Sequence, residues 1–195
     1  MILGITGGTG CGKTTLLQQI RQLGGLVLDC DAIYHRLLQT DPALLASIDD
    51  AFPGVVENGS LGRKKLGNIV FSDEKKLALL NSITHAAVRQ EVLRQLEQGP
   101  SLAAIDAIAL FEGGLSELCQ LTVAVTAPLE DRVRRLMARD GISEDYARRR
   151  IAAQHDEAWF RQRCDYVLQN DGTREDFRGK CLAFLSTLDI MKEKS

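Results

Sequence analysis

The sequence has few aromatic residues, no long apolar run and no surplus of charge of either sign. Aromatic residues make up 5% of the 195 residues, and the formal net charge is −2 at pH 7. A near-neutral balance argues against a nucleic-acid-binding class, and no segment approaches the roughly 18 apolar residues of a membrane helix. No signal peptide is visible, because no basic stretch precedes the apolar residues 1–6. We therefore expect a cytoplasmic chain without membrane or nucleic-acid partners.

The cysteines are too few and too scattered for a cross-linked framework. Five are present, an odd number, and no two have the Cys-x-x-Cys spacing. Such a set is atypical of a disulfide scaffold or of a structural zinc site. The pattern predicts free thiols in a reducing compartment.

Short apolar runs alternate with longer stretches that carry apolar residues at helical spacing. The predicted strands are residues 1–5, 26–28, 102–110, 121–125 and 166–168. The predicted helices are residues 13–23, 74–97, 129–139 and 144–160. This alternation is typical of an α/β fold in which helices flank a parallel sheet. Five such runs predict a five-stranded sheet.

The middle of the chain departs from this alternation. Residues 41–99 contain no convincing buried strand, and they are too many for a single crossover helix. We interpret them as a helical insertion over one edge of a core formed by residues 1–40 and 100–195. The last five residues, "MKEKS", are expected to fray.

A glycine-rich loop follows the first predicted strand. Its spacing, Gly7-x-x-x-x-Gly12-Lys13-Thr14, fits the whole phosphate-binding pattern, with a strand before it and a helix after it. Glycines let the backbone curl so that several N–H groups point at one anion, and the helix N-terminus adds partial positive charge. The alternative is a glycine turn that only joins the strand to the helix, but such a turn would not need the lysine and threonine that the pattern also specifies. The loop predicts a nucleoside triphosphate, but kinases, GTPases and motor ATPases all use it.

Each position in the loop has an expected task. Lys13 should reach the β- and γ-phosphates, Thr14 should bind Mg²⁺ through its hydroxyl, and Thr15 should bond on the α-phosphate side. The predicted nucleotide ligands of the loop are Gly10, Cys11, Gly12, Lys13, Thr14 and Thr15. Because no Asn-Lys-x-Asp motif is present, the sequence does not favour a guanine-specific GTPase.

Acidic residues follow two of the predicted strands. Asp29 and Asp31 lie at the carboxyl end of the second strand, where open parallel sheets bind ligands. Two residues apart on an extended segment, their carboxylates are expected to point the same way. Asp31 is better placed to meet a substrate hydroxyl, and Asp29 could support it or the water shell of a metal. Either could instead cap the next helix. Asp106 is either a metal-directed acid at a strand end or a mid-strand residue, and Glu112 begins either an acceptor-lining loop or a plain glycine turn.

Seven arginines are concentrated between residues 132 and 150, on two helical patterns joined by "DGISED". Residues 129–155 therefore suit a lid that brings guanidinium groups to the transferring phosphoryl group and excludes water. Arg139, beside the turn, is the candidate for the phosphate contact. The alternative is a solvated charged face.

The chain resembles the dephospho-coenzyme A kinases over nearly its whole length. The matching segments are "GITGGTGCGKTT", "LVLDCDAIYHRLL", "LGRKKLGNIVF", "NSITHAAV", "ALFEGG", "RRLMARDGIS" and "CDYVLQNDG". The resemblance implies a P-loop kinase with a five-stranded parallel core, a helical acceptor-binding domain and a lid. It also implies transfer of the ATP γ-phosphate to the 3′-hydroxyl of dephospho-CoA.

The resemblance also implies roles for single residues. Asp31 would lie near the acceptor hydroxyl as base or orienting group, and Arg139 would contact the ATP phosphates. Asn170 would lie near adenine, and Arg63 and His85 would cradle the acceptor. With Glu112, these residues complete the predicted site.

Three departures from the family pattern accompany the resemblance. His85-Ala86 replaces the usual His-Pro, Ile108-Ala109-Leu110 replaces Pro-Leu-Leu, and Cys11 replaces a loop serine. The first two touch the acceptor side, so a nucleoside or nucleotide kinase stays an alternative, as does a non-catalytic ATP-binding regulatory module. We expect a small-molecule substrate and a chain that acts as a monomer or a weak homo-oligomer.

Overall fold

The computed structural model describes residues 1–192, with side chains described through Leu188. Its strands are β1 Ile2–Thr6, β2 Leu26–Asp29, β3 Val56–Glu57, β4 Ser60–Leu61, β5 Ala103–Asp106, β6 Leu121–Thr126 and β7 Tyr166–Gln169. Its helices are α1 Lys13–Gln22, α2 Cys30–Thr40, α3 Pro42–Ala51, α4 Arg63–Val70, α5 Glu74–Leu96, α6 Leu129–Asp140, α7 Glu144–Ala152, α8 Glu157–Arg163 and α9 Arg174–Lys192.

Five strands form a parallel sheet with the order β2-β5-β1-β6-β7. The strand β1 is central, with Ile2–Ile5 paired to β5 and Leu3–Thr6 paired to β6. Because all five strands run the same way, their carboxyl ends lie at one edge of the sheet. The loop after β1 and the acids after β2 and β5 therefore meet there. The predicted five-stranded parallel sheet is confirmed.

The two faces of the sheet are covered by different helices. Leu3 and Ile5 of β1 pack with α1 and α9 in one buried cluster, which includes Leu16 and Phe177. Ile105 of β5 belongs to a second cluster, which it shares with α2, α3 and α5. The alternation of side chains along each strand thus gives every face its own core.

The segment between β2 and β5 is mainly helical. Its buried cluster joins α2 to α3, α4 and α5, so α2 packs with the insertion as well as with the sheet. A two-residue hairpin interrupts the helices, where β3 pairs with β4. Asn58 and Gly59 connect the pair with positive φ angles of 51° and 73°, which is the conformation that an Asn-Gly hairpin turn requires.

The predicted strand 102–110 is too long, because β5 ends at Asp106. The chain then turns, with the Leu115 and Ser116 N–H groups donating to the Leu110 carbonyl. This turn buries Leu110 against the face of the sheet, so the apolar run continues without continuing the strand.

The structure differs from the predicted helices in two places. The stretch 144–160 is two helices, α7 and α8, because the Asp156 side chain accepts a hydrogen bond from the Trp159 N–H and caps a new start. The long α9 was not predicted, although its buried residues recur at helical spacing. Of the last five residues, Met191 and Lys192 lie in α9, and residues 193–195 lie outside the described residues. No helix among the described residues is long and apolar enough to cross a membrane.

The carboxylate of Glu91 joins α5 to α2. It accepts hydrogen bonds from Arg94 and Gln95 on its own helix and from Arg36 on α2. The Arg94 guanidinium, with help from Gln95 and Arg36, lowers the pKa of Glu91 to about 2. The charged carboxylate therefore stabilises the folded chain.

We expect Glu91→Gln to lower the free energy of unfolding at pH 7 by about 1 kcal/mol, the scale of a solvent-screened ion pair. Since the folded pKa of Glu91 lies below its unfolded value, its stabilisation is complete above the ordinary carboxyl pKa and is lost as pH falls toward 2. Urea denaturation at pH 7 and pH 3 should show the difference from wild type shrinking at the lower pH. Glu97→Gln, at the exposed residue that directly follows the same helix, is the control. An equal difference at both pH values would contradict this account.

Candidate active site

The glycine loop lies at the carboxyl end of the central strand and leads directly into α1. Gly7 and Gly12 adopt φ angles of 133° and 96°, which residues with side chains rarely adopt. A Cβ on Gly7 would lie 2.2 Å from the Val125 carbonyl oxygen of β6. The loop therefore needs glycine there both for its turn and for its approach to the neighbouring strand.

Lys13 lies at the start of α1 and contacts two oxygens. Its Nζ is 3.3 Å from the Gly7 carbonyl oxygen and 3.3 Å from Asp106 Oδ1. Asp106 is the last residue of β5, which settles its position at a strand end rather than in mid-strand. Burial raises the pKa of Asp106, and the nearby Lys13 ammonium opposes that rise. The pair places a lysine and a carboxylate side by side beneath the loop.

Two arginines of α6 hold the loop from the lid side. Arg132 Nε donates to the Thr9 carbonyl at 3.0 Å, and Arg135 donates to the Gly10 carbonyl at 3.2 Å. Gln154 Oε1 accepts from both the Thr9 N–H and Arg132. The segment 129–155 therefore contacts the phosphate-binding loop itself, and it has a buried cluster of its own around Leu136.

A cavity of about 400 Å³ opens above the loop. Its charged and hydroxyl-bearing lining residues are Thr9, Lys13, Thr14, Asp31, Asp106, Arg135, Arg139 and Arg150. We call it the nucleotide cavity. The predicted Lys13, Thr14, Asp31 and Arg139 are thus brought together.

Arg139 reaches the nucleotide cavity from the end of α6. Its Nε and Nη2 donate to the two carboxylate oxygens of Asp140, and Arg150 donates to one of the same oxygens. The hydrogen bonds from Arg139 and, to a lesser extent, from Arg150 lower the pKa of Asp140 to about 2. Asp140 therefore holds two guanidinium groups at the rim of the cavity.

Asn170 lies beneath the loop, at the end of β7. Its buried side chain donates from Nδ2 to the Cys11 carbonyl at 2.9 Å. A Cβ on Gly12 would lie 2.4 Å from the same nitrogen. Asn170 thus holds the loop backbone, while its contact with adenine stays a prediction.

Cys11 and Thr15 differ in their position relative to the nucleotide cavity, since Cys11 lines it and Thr15 does not. Cys11 is buried, and burial raises the pKa of its thiol. Gly10 and Gly12 line the cavity with Cys11, and the expected contact of Thr15 on the α-phosphate side stays a prediction.

Asp29 and Asp31 have separate positions. The sequence argument places both carboxylates on one extended segment, and this is wrong because α2 begins between them, at Cys30. The Asp29 side chain caps that helix by accepting from the Ala32 N–H at 2.9 Å. Asp31 lies in the first turn of α2, is exposed, and lines the nucleotide cavity.

A second cavity, of about 210 Å³, lies beside the first, between α2, α5 and the turn after β5. Its lining includes Asp31, Tyr34, Thr84, His85, Ile108 and Leu115. We call it the acceptor cavity. The predicted His85 lies here, and Asp31 and Ile108 line both cavities.

Arg63 and Glu112 lie further out. Arg63, at the start of α4, lines an apolar groove that meets the acceptor cavity at Tyr34 and Leu80. Glu112 lines neither cavity, and its Oε1 is 2.8 Å from His155 Nε2. The loop after β5 is thereby tied to the segment between α7 and α8.

Sequence reasoning missed several residues around the site. Arg132 and Gln154 clamp the loop, and the His155 ring stacks on Trp159 with centroids 3.7 Å apart. The excess of arginine near residue 132 was a signal for the first contact. The sequence held no signal for the stack, because it depends on how α8 meets the loop after α7.

Comparison with known proteins decides the family. A model of the dephospho-CoA kinase family matches residues 1–176. The chain belongs to the dephospho-CoA kinase family. The dephospho-CoA kinase of Geobacillus kaustophilus is 37% identical over 199 residues, covering 99% of both chains. That of Deinococcus radiodurans is 39% identical over 193 residues, covering 96% of this chain and 92% of the relative.

Solved structures share the fold of this chain. A Thermus thermophilus protein of 36% identity superposes with a TM-score of 0.81, over 96% of this chain and 97% of the other. A shikimate kinase from Bacteroides thetaiotaomicron, 16% identical, covers 97% of this chain and 98% of its own with a TM-score of 0.57, a likeness of fold alone. The predicted P-loop kinase fold is confirmed. The predicted activity, ATP-dependent phosphorylation of dephospho-CoA in coenzyme A synthesis, is confirmed by membership of the family.

Proposed function

We propose that this chain transfers the γ-phosphoryl group of ATP to the 3′-hydroxyl of the dephospho-CoA ribose, giving ADP and coenzyme A. The observation that carries the proposal is the position of Asp31, which lines both the nucleotide cavity and the acceptor cavity. A hydroxyl bound in one cavity and a γ-phosphate bound in the other would meet beside a carboxylate.

In the proposed step the acceptor oxygen attacks the γ-phosphorus in line with the bond that joins this phosphorus to ADP. The new oxygen–phosphorus bond forms as that bond breaks, and ADP leaves with its electron pair. The hydroxyl proton passes to Asp31, which acts as base or as orienting group.

Fixed positive charge would stabilise the transferring group. The N–H groups of Gly10, Cys11 and Gly12 and the Lys13 ammonium would bind the phosphates from below. Arg139 would bind them from the lid. Its pair with Asp140 uses Nε and one N–H of Nη2, so both N–H groups of Nη1 and the second N–H of Nη2 are available to a phosphate oxygen. The pre-set arginine avoids reorganisation during the reaction.

The donors beside the loop fit a Mg²⁺ ion that arrives with ATP. Thr14 lines the nucleotide cavity, and the buried Asp106 Oδ1 has the Lys13 ammonium 3.3 Å away but forms no well-aligned hydrogen bond among the described residues. Those residues include no group of three or more His, Cys, Asp or Glu side chains able to hold a metal. Phosphate oxygens and water would therefore supply most ligands, as Mg²⁺ commonly requires. We assign Thr14 as the direct ligand, and the bound ion would neutralise phosphate charge.

The acceptor side would bind the rest of dephospho-CoA. His85 offers a hydrogen-bonding ring inside the acceptor cavity, and Arg63 places a cation on the groove that continues from it. Dephospho-CoA carries a diphosphate, which an arginine binds well. Glu112, tied to His155, would keep the loop beside this cavity in place.

The proposal includes a setting for the enzyme. We place it in the cytoplasm, as a monomer or a weak homo-oligomer with a small-molecule substrate. All five cysteines are free, which suits a reducing compartment.

The test is ADP release by the purified chain with ATP and Mg²⁺, measured with dephospho-CoA, a set of nucleosides and a set of nucleoside monophosphates. We expect dephospho-CoA to give kcat/KM at least about 100-fold above the other acceptors, since unpaired groups in an acceptor site penalise a wrong ligand strongly. Preference for a nucleoside or nucleotide would favour that kinase class instead. ATP binding without acceptor-dependent ADP release would favour a regulatory module.

A further inference from the structure

Ile108 occupies the boundary between the two cavities. Within the part of the chain that the structure describes, Ile108 and Asp31 are the residues that line both cavities. The boundary therefore has one carboxylate and one branched apolar side chain.

The backbone at Ile108 is held from the phosphate-binding side. The Thr6 hydroxyl, at the end of β1, donates to the Ile108 carbonyl at 3.3 Å, and the preceding Ala107 N–H donates to the Ile5 carbonyl at 3.1 Å. Both partners belong to the strand that leads into the glycine loop. Because χ1 of isoleucine has few rotamers, this attachment fixes where the side chain lies relative to the phosphates.

The exposure of Ile108 is costly unless a ligand covers it. The residue is 42% exposed, while its neighbour Leu110 is fully buried. Covering apolar surface with an acceptor removes it from water, which is favourable by about 25 cal/mol per Å². A water between the cavities would compete with the acceptor hydroxyl for the γ-phosphorus, and an apolar group there offers that water no hydrogen bond.

We infer that Ile108 is a positioning residue that packs against the acceptor ribose and keeps water out of line with the γ-phosphate. This inference rests on the proposed function. It concerns two competing attacks on the same phosphorus. In transfer, the acceptor oxygen forms the new bond; in the competing reaction, a water oxygen does, its proton passes to Asp31 or solvent, and ADP and inorganic phosphate leave.

Truncation separates the two attacks. Ile108→Ala removes three carbon atoms, which opens space for at least one water of about 30 Å³. We expect kcat for transfer to dephospho-CoA to fall about tenfold through misplacement of the hydroxyl. The phosphate released per coenzyme A formed should rise several-fold, and the Kd for ATP should stay within about twofold of wild type.

The experiment measures coenzyme A and inorganic phosphate in the same reaction, with ATP affinity and thermal unfolding measured separately. Leu182→Ala on α9 is the matched control, since Leu182 is also 42% exposed and lines neither cavity. Ile108→Val, which keeps the branch at Cβ, should restore the wild-type ratio of phosphate to coenzyme A.

The outcomes distinguish this inference from the function on which it rests. An Ile108→Ala enzyme that makes coenzyme A at the wild-type rate and ratio overturns the role of Ile108 and leaves the function standing. A fall in rate without a change in ratio also overturns it, because a merely structural role would do that. A wild-type chain that makes no coenzyme A overturns the proposed function, and the inference with it.

Discussion

Asp31→Asn is expected to lower kcat for phosphoryl transfer by about 10²–10³-fold, the usual contribution of a positioned acid or base. Asparagine has the same shape as aspartate but cannot take the hydroxyl proton. The Kd for ATP should change less than threefold, because the phosphate-binding contacts of the loop do not involve this side chain. Steady-state kinetics with dephospho-CoA and equilibrium ATP binding measure the two quantities.

The neighbouring Asp29 supplies the control. Its carboxylate caps α2 by accepting from the Ala32 N–H, and the amide oxygen of asparagine caps equally well. Asp29→Asn should therefore keep both kcat and stability near wild type while removing a negative charge two residues from Asp31. Turnover by Asp31→Asn within threefold of wild type would rule out Asp31 as the base that takes the hydroxyl proton.

Lys13→Met should lower kcat by about 10³-fold, because one fixed donor to the transferring phosphate is worth about that much. Methionine keeps most of the side-chain length without the charge. The same change leaves the buried Asp106 without its ion-pair partner, so burial should raise the pKa of that carboxyl further. Single-turnover transfer measures the loss of rate, and thermal unfolding measures the loss of stability that the unpaired carboxylate causes.

A double variant separates stability from chemistry. Lys13→Met with Asp106→Asn removes the unpaired buried carboxylate, so its melting temperature should recover while its transfer rate should not. Lys180→Met is the matched control, since Lys180 also contacts a backbone carbonyl and an aspartate, Gln169 and Asp171, but lies outside the cavities. Recovery of transfer in the double variant would show that Lys13 acts only through stability.

The parts of the fold that depend on short segments could be predicted from the sequence. The spacing of Gly7, Gly12 and Lys13 places a phosphate loop between a strand and a helix, and the structure has that arrangement. The hairpin at Asn58 and Gly59 was not predicted, although two adjacent residues set its turn. The end of β5 was not predicted either, since an apolar run looks the same in a strand and in a turn that folds back on the core.

The parts of the site that depend on distant segments could not be predicted in this way. Asn170 bonds to Cys11 across 159 residues, and Arg132 bonds to Thr9 across 123. These contacts arise from the packing of β7 and α6 around the loop, which no local pattern specifies. The meeting of two cavities at Asp31 and Ile108 likewise depends on the strand order that brings β2 and β5 together.

Identification of the phosphorylated product tests the central claim most directly. Purified protein, ATP, Mg²⁺ and dephospho-CoA are incubated, and the position of the new phosphate is assigned by ³¹P NMR against authentic coenzyme A. The account predicts a single monoester at the 3′-oxygen of the ribose, formed in equal amount with ADP. A monoester at another oxygen, or release of ADP with inorganic phosphate alone, would contradict it.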